Sequence, residues 1–218
     1  MSEIEATFGF VDLAGFTALT EAHGDNEAVA LLDRFEAITS GALGPTDRLV
    51  KTIGDAVMVV FADPDTAVTA VTRLFRAALA EARMPIPRAG LHQGRAIERS
   101  GDYFGASVNL AARVAGQAHG GQVLATDVVA AAARGHGVNV VDLGAFELRN
   151  ISQPVVLFEL ELCPAAAGNA VDPVCRMQVG RAEAAGRLRQ HDRDYWFCSL
   201  GCAAAFANDP ERYTELPT

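Results

Sequence analysis

Two apolar runs, Arg48 to Ile53 and Ala56 to Phe61, are separated only by Gly54-Asp55. So short a link closes as a hairpin with its strands antiparallel. That argues against a purely parallel, doubly wound sheet, although the rest of the chain alternates strands and helices. Ala6 to Asp12 is an earlier strand, with Phe8, Phe10 and Val11 supplying bulk. After the turn Leu13-Ala14-Gly15, a helix carries Ala28, Leu31, Leu32, Phe35 and Ile38 at three- and four-residue spacing, with Asp25 as its cap. Pro64-Asp65 opens a second amphipathic helix whose stripe is Ala67, Val68, Val71, Leu74 and Phe75.

Further along, Arg88 to Ile97 reads as a strand, Asp102-Tyr103-Phe104 as a turn, and Gly105 to Ala118 as a helix. Strands near Gln122 to Ala125 and Val138 to Val141 flank an alanine-rich helix. A last pair is expected at Ala145 to Arg149 and Val155 to Leu162. The pattern predicts an α/β protein, an α+β sandwich in which helices flank a sheet.

Half of the 218 residues are hydrophobic and 21% are charged, the composition of a globular chain. A net charge of −9 argues against nucleic acid or an anionic membrane as partner. A nucleotide remains compatible, because metal ions can supply local positive charge. The start, MSEIEATF, lacks a secretion signal, and no apolar run approaches the roughly 20 residues of a membrane span. A cytoplasmic location is expected. All four cysteines, Cys163, Cys175, Cys198 and Cys202, lie in the last quarter, which points to metal or redox chemistry rather than disulfides. The stretch CPAAAGNA, residues 163–170, has a linker's composition, so a main domain over 1–162 and a small module over 171–218 are expected.

Asp12 and Asp55 each end an apolar run, where a turn exposes the carboxylate at a sheet edge. Two such acids can hold two hard cations over a triphosphate; each alone reads equally well as a turn former or cap. Asn109 and Arg113 are four residues apart and share one helix face, away from Val108, Ala111 and Ala112. That face is either functional or simply solvated.

The stretches FGFVDLAGFT, KTIGDAVMVVF and DYFGASVNLAARV resemble, in order and internal spacing, the three signatures of the class III adenylate/guanylate cyclase catalytic domain. The resemblance covers roughly residues 6 to 162 and implies a ferredoxin-like, palm-type mixed sheet. It implies that Asp12 and Asp55 bind two Mg2+ or Mn2+ ions per active site, with the Leu13 backbone carbonyl as a further ligand. Lys51 and Asp102 would contact the purine, Asn109 would orient the ribose, and Arg113 would stabilise the transition state. Backbone N–H groups of Gly15, Phe16 and Thr17, at a helix start, would cradle phosphate oxygens. Arg149 stands where the family usually has a lysine followed by glycine; it keeps the charge and is carried over as a triphosphate contact.

Lysine only donates and a carboxylate only accepts, which complements the acceptor and donor edge of adenine and opposes guanine. ATP is therefore the implied substrate, with guanylate cyclase, or a catalytically weak nucleotide- or metal-binding signalling protein, as the alternatives. The implied reaction is attack of the ribose 3′-hydroxyl on the α-phosphate with loss of pyrophosphate, giving 3′,5′-cyclic AMP. The family builds its sites between subunits, and this chain holds both sets of residues, so a homodimer is expected.

The segment VDPVCRMQV followed by HDRDYWFCSLGCAAAF resembles a YHS domain, a metal-associated module, over about residues 171 to 214. Cys198 and Cys202, four apart at a helix start, can present both thiols to one ion, and Cys175 can add a third; zinc, copper and iron all remain open. His191 is a conceivable fourth ligand, or a surface histidine. The cysteines read alternatively as small buried hydrophobes of a docked subdomain. Cys163 reads as incidental, and Arg176 stands where the family commonly has glycine. A metal here would modulate the cyclase.

Overall fold

The Gly54-Asp55 hairpin is the fixed point from which the main sheet is built. In a computed structural model describing residues 2–163 and 168–214, the chain runs β1 (Ser2–Leu13), α1 (Phe16–His23), α2 (Asp25–Ala42), β2 (Arg48–Ile53), β3 (Ala56–Phe61), α3 (Pro64–Ala80) and β4 (Pro87–Arg99). It continues through β5 (Asp102–Phe104), α4 (Ala106–Ala115), β6 (Val123–Ala125), α5 (Asp127–Gly135), β7 (Asn139–Phe146) and β8 (Val155–Glu161). Last come β9 (Asn169–Val171), β10 (Gln178–Gly180), β11 (Gly186–Gln190), β12 (Arg193–Phe197), α6 (Leu200–Asn208) and α7 (Glu211–Thr214). Residues 164–167 of the expected linker and 215–218 of the expected module lie outside the described residues. Among the described residues, no helix is long and apolar enough to cross a membrane.

The described chain forms two compact units that do not follow chain order. One holds residues 2–13, 36–77 and 87–163; the other holds 14–35, 78–86 and 168–214.

The first unit is organised by the sheet β2-β3-β1-β4-β6-β8-β7, with β5 added on β4. Its pairs are antiparallel except β4 with β6, so the sheet is mixed, as the hairpin required. Phe8 pairs with Val60 and Phe10 with Met58, which puts all four on one face. With Ala96 and Tyr103 they pack against Val108, Ala111 and Ala115 of α4 in one buried cluster. The odd-numbered set Val11, Val57, Val59 and Phe61 is buried as well. Strands buried on both faces explain why these runs read as continuously apolar rather than alternating.

Close approach of α4 depends on Gly90. A Cβ there would fall 2.0 Å from the backbone nitrogen of Ala115, so only glycine lets the helix sit this near β4.

Two expected elements differ. Asp102-Tyr103-Phe104 is a strand, because its backbone pairs with Ile97–Arg99, and the turn lies instead at Ser100-Gly101, both at positive φ. The runs expected at Val138–Val141 and Ala145–Arg149 merge into one strand, β7, joined through an irregularity between Asp142 and Gly144. Gly144 has φ 81°, a conformation that sequence alternation cannot reveal.

In the second unit, Phe197 and Phe206 are fully buried, 5.3 Å apart between ring centroids, and Phe206 also meets Tyr195 at 4.7 Å. So short a stretch cannot bury a sufficient core alone. The unit is completed by earlier residues: Pro85 bridges to Met177, and the Gln178 amide donates to the carbonyls of Ala78 and Met84.

Candidate active site and thiol cluster

In the first unit, ladder register brings the acids together. Asp12 lies opposite Ala56 on β3, so Asp55 in the hairpin is its cross-strand neighbour. Burial, followed by the charge of Asp12, pushes the Asp55 carboxyl up to about 6. On its other side Asp12 faces Arg88 of β4, which donates from Nε to Asp12 Oδ2 at 2.9 Å. Asp12 Oδ1 is buried and has no hydrogen-bond partner among the described residues. An orphaned carboxylate oxygen beside a second acid whose ionisation is opposed by burial and by the first is an arrangement short of positive charge. The residues therefore fit hard divalent cations. Arg88 had no signal in the sequence beyond opening a strand; its role follows from register alone.

Lys51 on β2 and Asp102 on β5 form a second constellation. Lys51 Nζ donates to both Asp102 oxygens, at 2.8 and 2.6 Å. That bond from Lys51 holds the Asp102 carboxyl below the usual range. The pair is half-exposed, and Lys51 also lies 5.8 Å from the centroid of Phe104. The ammonium keeps spare donors and the carboxylate spare acceptors, so a polar ring edge can still be read by both.

Asn109 and Arg113 are exposed on α4, while Val108, Ala111 and Ala115 are buried. Neither polar side chain has a partner among the described residues. Arg149 is exposed in the segment between β7 and β8, beside Asn150 at φ 63°. Leu13 ends β1 opposite Pro87. Gly15, Phe16 and Thr17, in the second unit, form the start of α1. Gly15 has φ 80° and ψ 21°, and no side chain caps the helix, so its first N–H groups remain unclaimed by a cap.

The second unit holds a different cluster. Cys175, Cys198 and Cys202 are brought together, and the fourth member is His23, the last residue of α1. Sγ–Sγ distances are 3.4 Å for Cys175–Cys198 and 3.8 Å for Cys198–Cys202. His23 Nε2 lies 3.4 Å from Cys198 Sγ and 3.8 Å from Cys202 Sγ. Buried Asp172 accepts the backbone N–H of Cys198 at 2.8 Å and of Val174 at 2.9 Å, tying the two cysteine-bearing loops together. Hydrogen bonding with Cys175 and Cys198 drives the Cys202 thiol far down, and the reciprocal contacts drive Cys175 up. His191 is not part of the cluster; it is exposed at the β11–β12 turn with φ 47°. Cys163 stands apart, its Sγ 3.8 Å from the Thr72 carbonyl. Nothing in the sequence marks His23 except its place before Gly24.

Residues 2–161 match the family model of the adenylate and guanylate cyclase catalytic domain, and residues 170–216 match that of the YHS domain. A pH-sensitive adenylate cyclase of Mycobacterium tuberculosis is 39% identical over 125 residues, covering 57% of this chain and 32% of the relative. An adenylate cyclase of Streptomyces griseus is 40% identical over 106 residues, covering 48% of this chain and 27% of its own length. The chain thus spans about a third or less of these relatives. Among solved structures, a Trypanosoma brucei adenylate cyclase in its monomeric state superposes with a TM-score of 0.67 at 24% identity, covering 74% of this chain and 89% of that one. The sheet order, the signature stretches and the family match together place this chain in the adenylate/guanylate cyclase catalytic-domain family, with a YHS domain following the catalytic domain.

Proposed function

We propose that this protein is an adenylate cyclase, converting ATP to 3′,5′-cyclic AMP and pyrophosphate at sites shared between two subunits. The observation that carries the reading is the register that sets Asp12 beside Asp55 and leaves Asp12 Oδ1 buried and unpaired. Two Mg2+ or Mn2+ ions at these acids, with the Leu13 carbonyl, would supply Lewis acidity for the ribose 3′-hydroxyl and charge for the phosphates.

The remaining work belongs to side chains. Lys51 donates to the purine ring nitrogen and Asp102 accepts from its exocyclic amine; guanine would oppose donor to donor. Asn109 orients the ribose, and Arg113 stabilises charge growing on the α-phosphate oxygens. The N–H groups of Gly15, Phe16 and Thr17, together with Arg149, hold the triphosphate.

Two features favour a homodimer. Asn109 and Arg113 project outward with no partner among the described residues. Ile97 and Phe104, paired between β4 and β5, are apolar yet 41% and 51% exposed, beside the Lys51–Asp102 pair. The names of the M. tuberculosis and S. griseus relatives support ATP as substrate. A transition metal at the C-terminal thiols, of the zinc, copper or iron kind, is proposed to modulate the activity.

The test is a purified-protein assay with ATP or GTP and manganese, reading the cyclic product. Cyclic AMP should dominate. Asp12→Ala and Asn109→Ala variants, each inactive, should regain activity when mixed. Absence of a cyclic product would overturn the cyclase reading, and a mixture no better than its parents would overturn the shared site.

A further inference from the structure

The three cysteines alone leave a metal site open and its identity undefined, and His23 changes both. Zn–S bonds of about 2.3 Å and Zn–N bonds of about 2.0–2.1 Å in tetrahedral geometry place sulfur pairs about 3.8 Å apart and sulfur–nitrogen pairs about 3.6 Å apart. The observed edges are 3.4 and 3.8 Å between sulfurs, and 3.4 and 3.8 Å from sulfur to His23 Nε2. All four donor atoms lie within 4.8 Å of one another. These edges match those of four ligands around one tetrahedral ion.

The surroundings are already built for it. Cys175 and Cys202 are buried, at 0% and 2% exposure, and buried Asp172 fixes the backbone at Cys198 and Val174 without joining the donor set. Three thiols and one imidazole, two of the four buried and two half-buried, already make up four ligands, a donor set suited to structural zinc rather than to an oxygen-preferring ion.

His23 also decides what the site does. It is the C-terminal residue of α1, whereas the thiols come from the loop after β9 and the start of α6. The other end of α1 is held as well: a Cβ on Gly15 would fall 2.3 Å from Arg176 Cγ, so Arg176, next to Cys175, lies directly against that turn. Arg176 reaches it from a left-handed backbone, φ 65°.

We infer that His23, Cys175, Cys198 and Cys202 form a closed Cys3His site for zinc, and that binding pins α1 to the YHS module at both ends. The ligand assignment does not depend on the cyclase reading. Only its consequence rests on that reading, namely that zinc would order the Gly15–Thr17 turn proposed to hold the triphosphate.

The test uses the full chain and zinc ion alone. Metal analysis of purified protein should give one zinc per chain, and X-ray absorption at the zinc edge should fit three sulfurs and one imidazole nitrogen. His23→Ala should lose the imidazole scattering and weaken zinc at least about tenfold, whereas His191→Ala should change neither. Hydrogen exchange across residues 15–23 should slow when zinc is returned to chelator-stripped wild type, and this difference should vanish in His23→Ala. A wild-type zinc shell without imidazole, or His23→Ala binding zinc as tightly as the wild type, would overturn the ligand assignment. Unchanged exchange on zinc addition would overturn the clamp. None of these readouts requires cyclase activity, so failure here and failure of the proposed function are separable.

Discussion

Asp12 and Asp55 meet because one antiparallel ladder sets them side by side, whereas His23 and Cys198, 175 positions apart, meet only through tertiary packing. The first cluster is a pair of oxygen donors with an uncompensated charge requirement, tempered by Arg88. The second is a closed set of sulfur and nitrogen donors, backed by a buried carboxylate that organises the loops. Sheet register yields a site suited to exchangeable hard ions over a substrate, and a packed module yields one suited to a resident soft ion. The comparison also warns against truncation as a test of regulation. Removing the C-terminal segment would strip residues 14–35 and 78–86 of the partners with which they form one unit.

If the two clusters are chemically independent, each can be broken without the other. The largest effect is expected from Asp55→Asn. Product formation with ATP and manganese should fall by ~10²-fold or more, the several kcal/mol a metal-held charge supplies, while zinc content stays unchanged. Loss of zinc in that variant would break the separation. Lys51→Ala should act on selectivity, lowering the preference for ATP over GTP by ~10–100-fold in parallel assays of the two nucleotides. An unchanged ratio would remove Lys51 and Asp102 from base reading.

Gly90→Ala should destabilise by about 1–3 kcal/mol, because the new methyl meets the α4 backbone rather than a side chain that can turn away. Thermal or denaturant unfolding measures this, and the zinc edge spectrum should not move. The smallest effect concerns pH. His92 is held neutral by burial, which lowers its pKa from 6.5, and its Nδ1 lies 2.8 Å from Thr126 Oγ1. The unfolded chain takes up this proton as pH falls through 6.5, and the folded chain does so only at lower pH. Stability should therefore fall between pH 6.5 and the lowered folded value, and be fully retained above 6.5. In His92→Gln the melting temperature should lose less on going from pH 7.5 to below 6.5. An identical pH slope would show that His92 does not contribute.

Much of the sheet-borne site was legible in the sequence because its logic is local. A two-residue link forces a hairpin, a hairpin puts its turn acid at a sheet edge, and four-residue spacing puts Asn109 and Arg113 on one helix face. The residues expected inside, such as Phe8, Phe10 and Val11 of the first strand and Val68, Val71, Leu74 and Phe75 of the second amphipathic helix, are inside. Arg88 was not legible, since which side chain faces Asp12 depends on the pairing of β1 with β4, a match between distant segments. The Gly144 bend inside β7 escaped for a related reason: a positive φ is set by the ladder around it and leaves no periodic trace.

The thiol cluster divides along the same line. The sequence by itself determined that Cys175, Cys198 and Cys202 belong to one module, because the spacing of the last two at a helix start is a property of the local chain. It likewise determined the mixed sheet, through turn length, and the shared helix face of Asn109 and Arg113, through helical period, while the roles expected of the cyclase residues came from the resemblance of the signature stretches. Only the tertiary structure decided that α1 belongs with the C-terminal module, that His23 rather than His191 completes the donor set, and that Arg176 lies on Gly15. Short-range geometry is written into consecutive residues, whereas contacts across more than a hundred positions depend on how separate apolar faces find burial together.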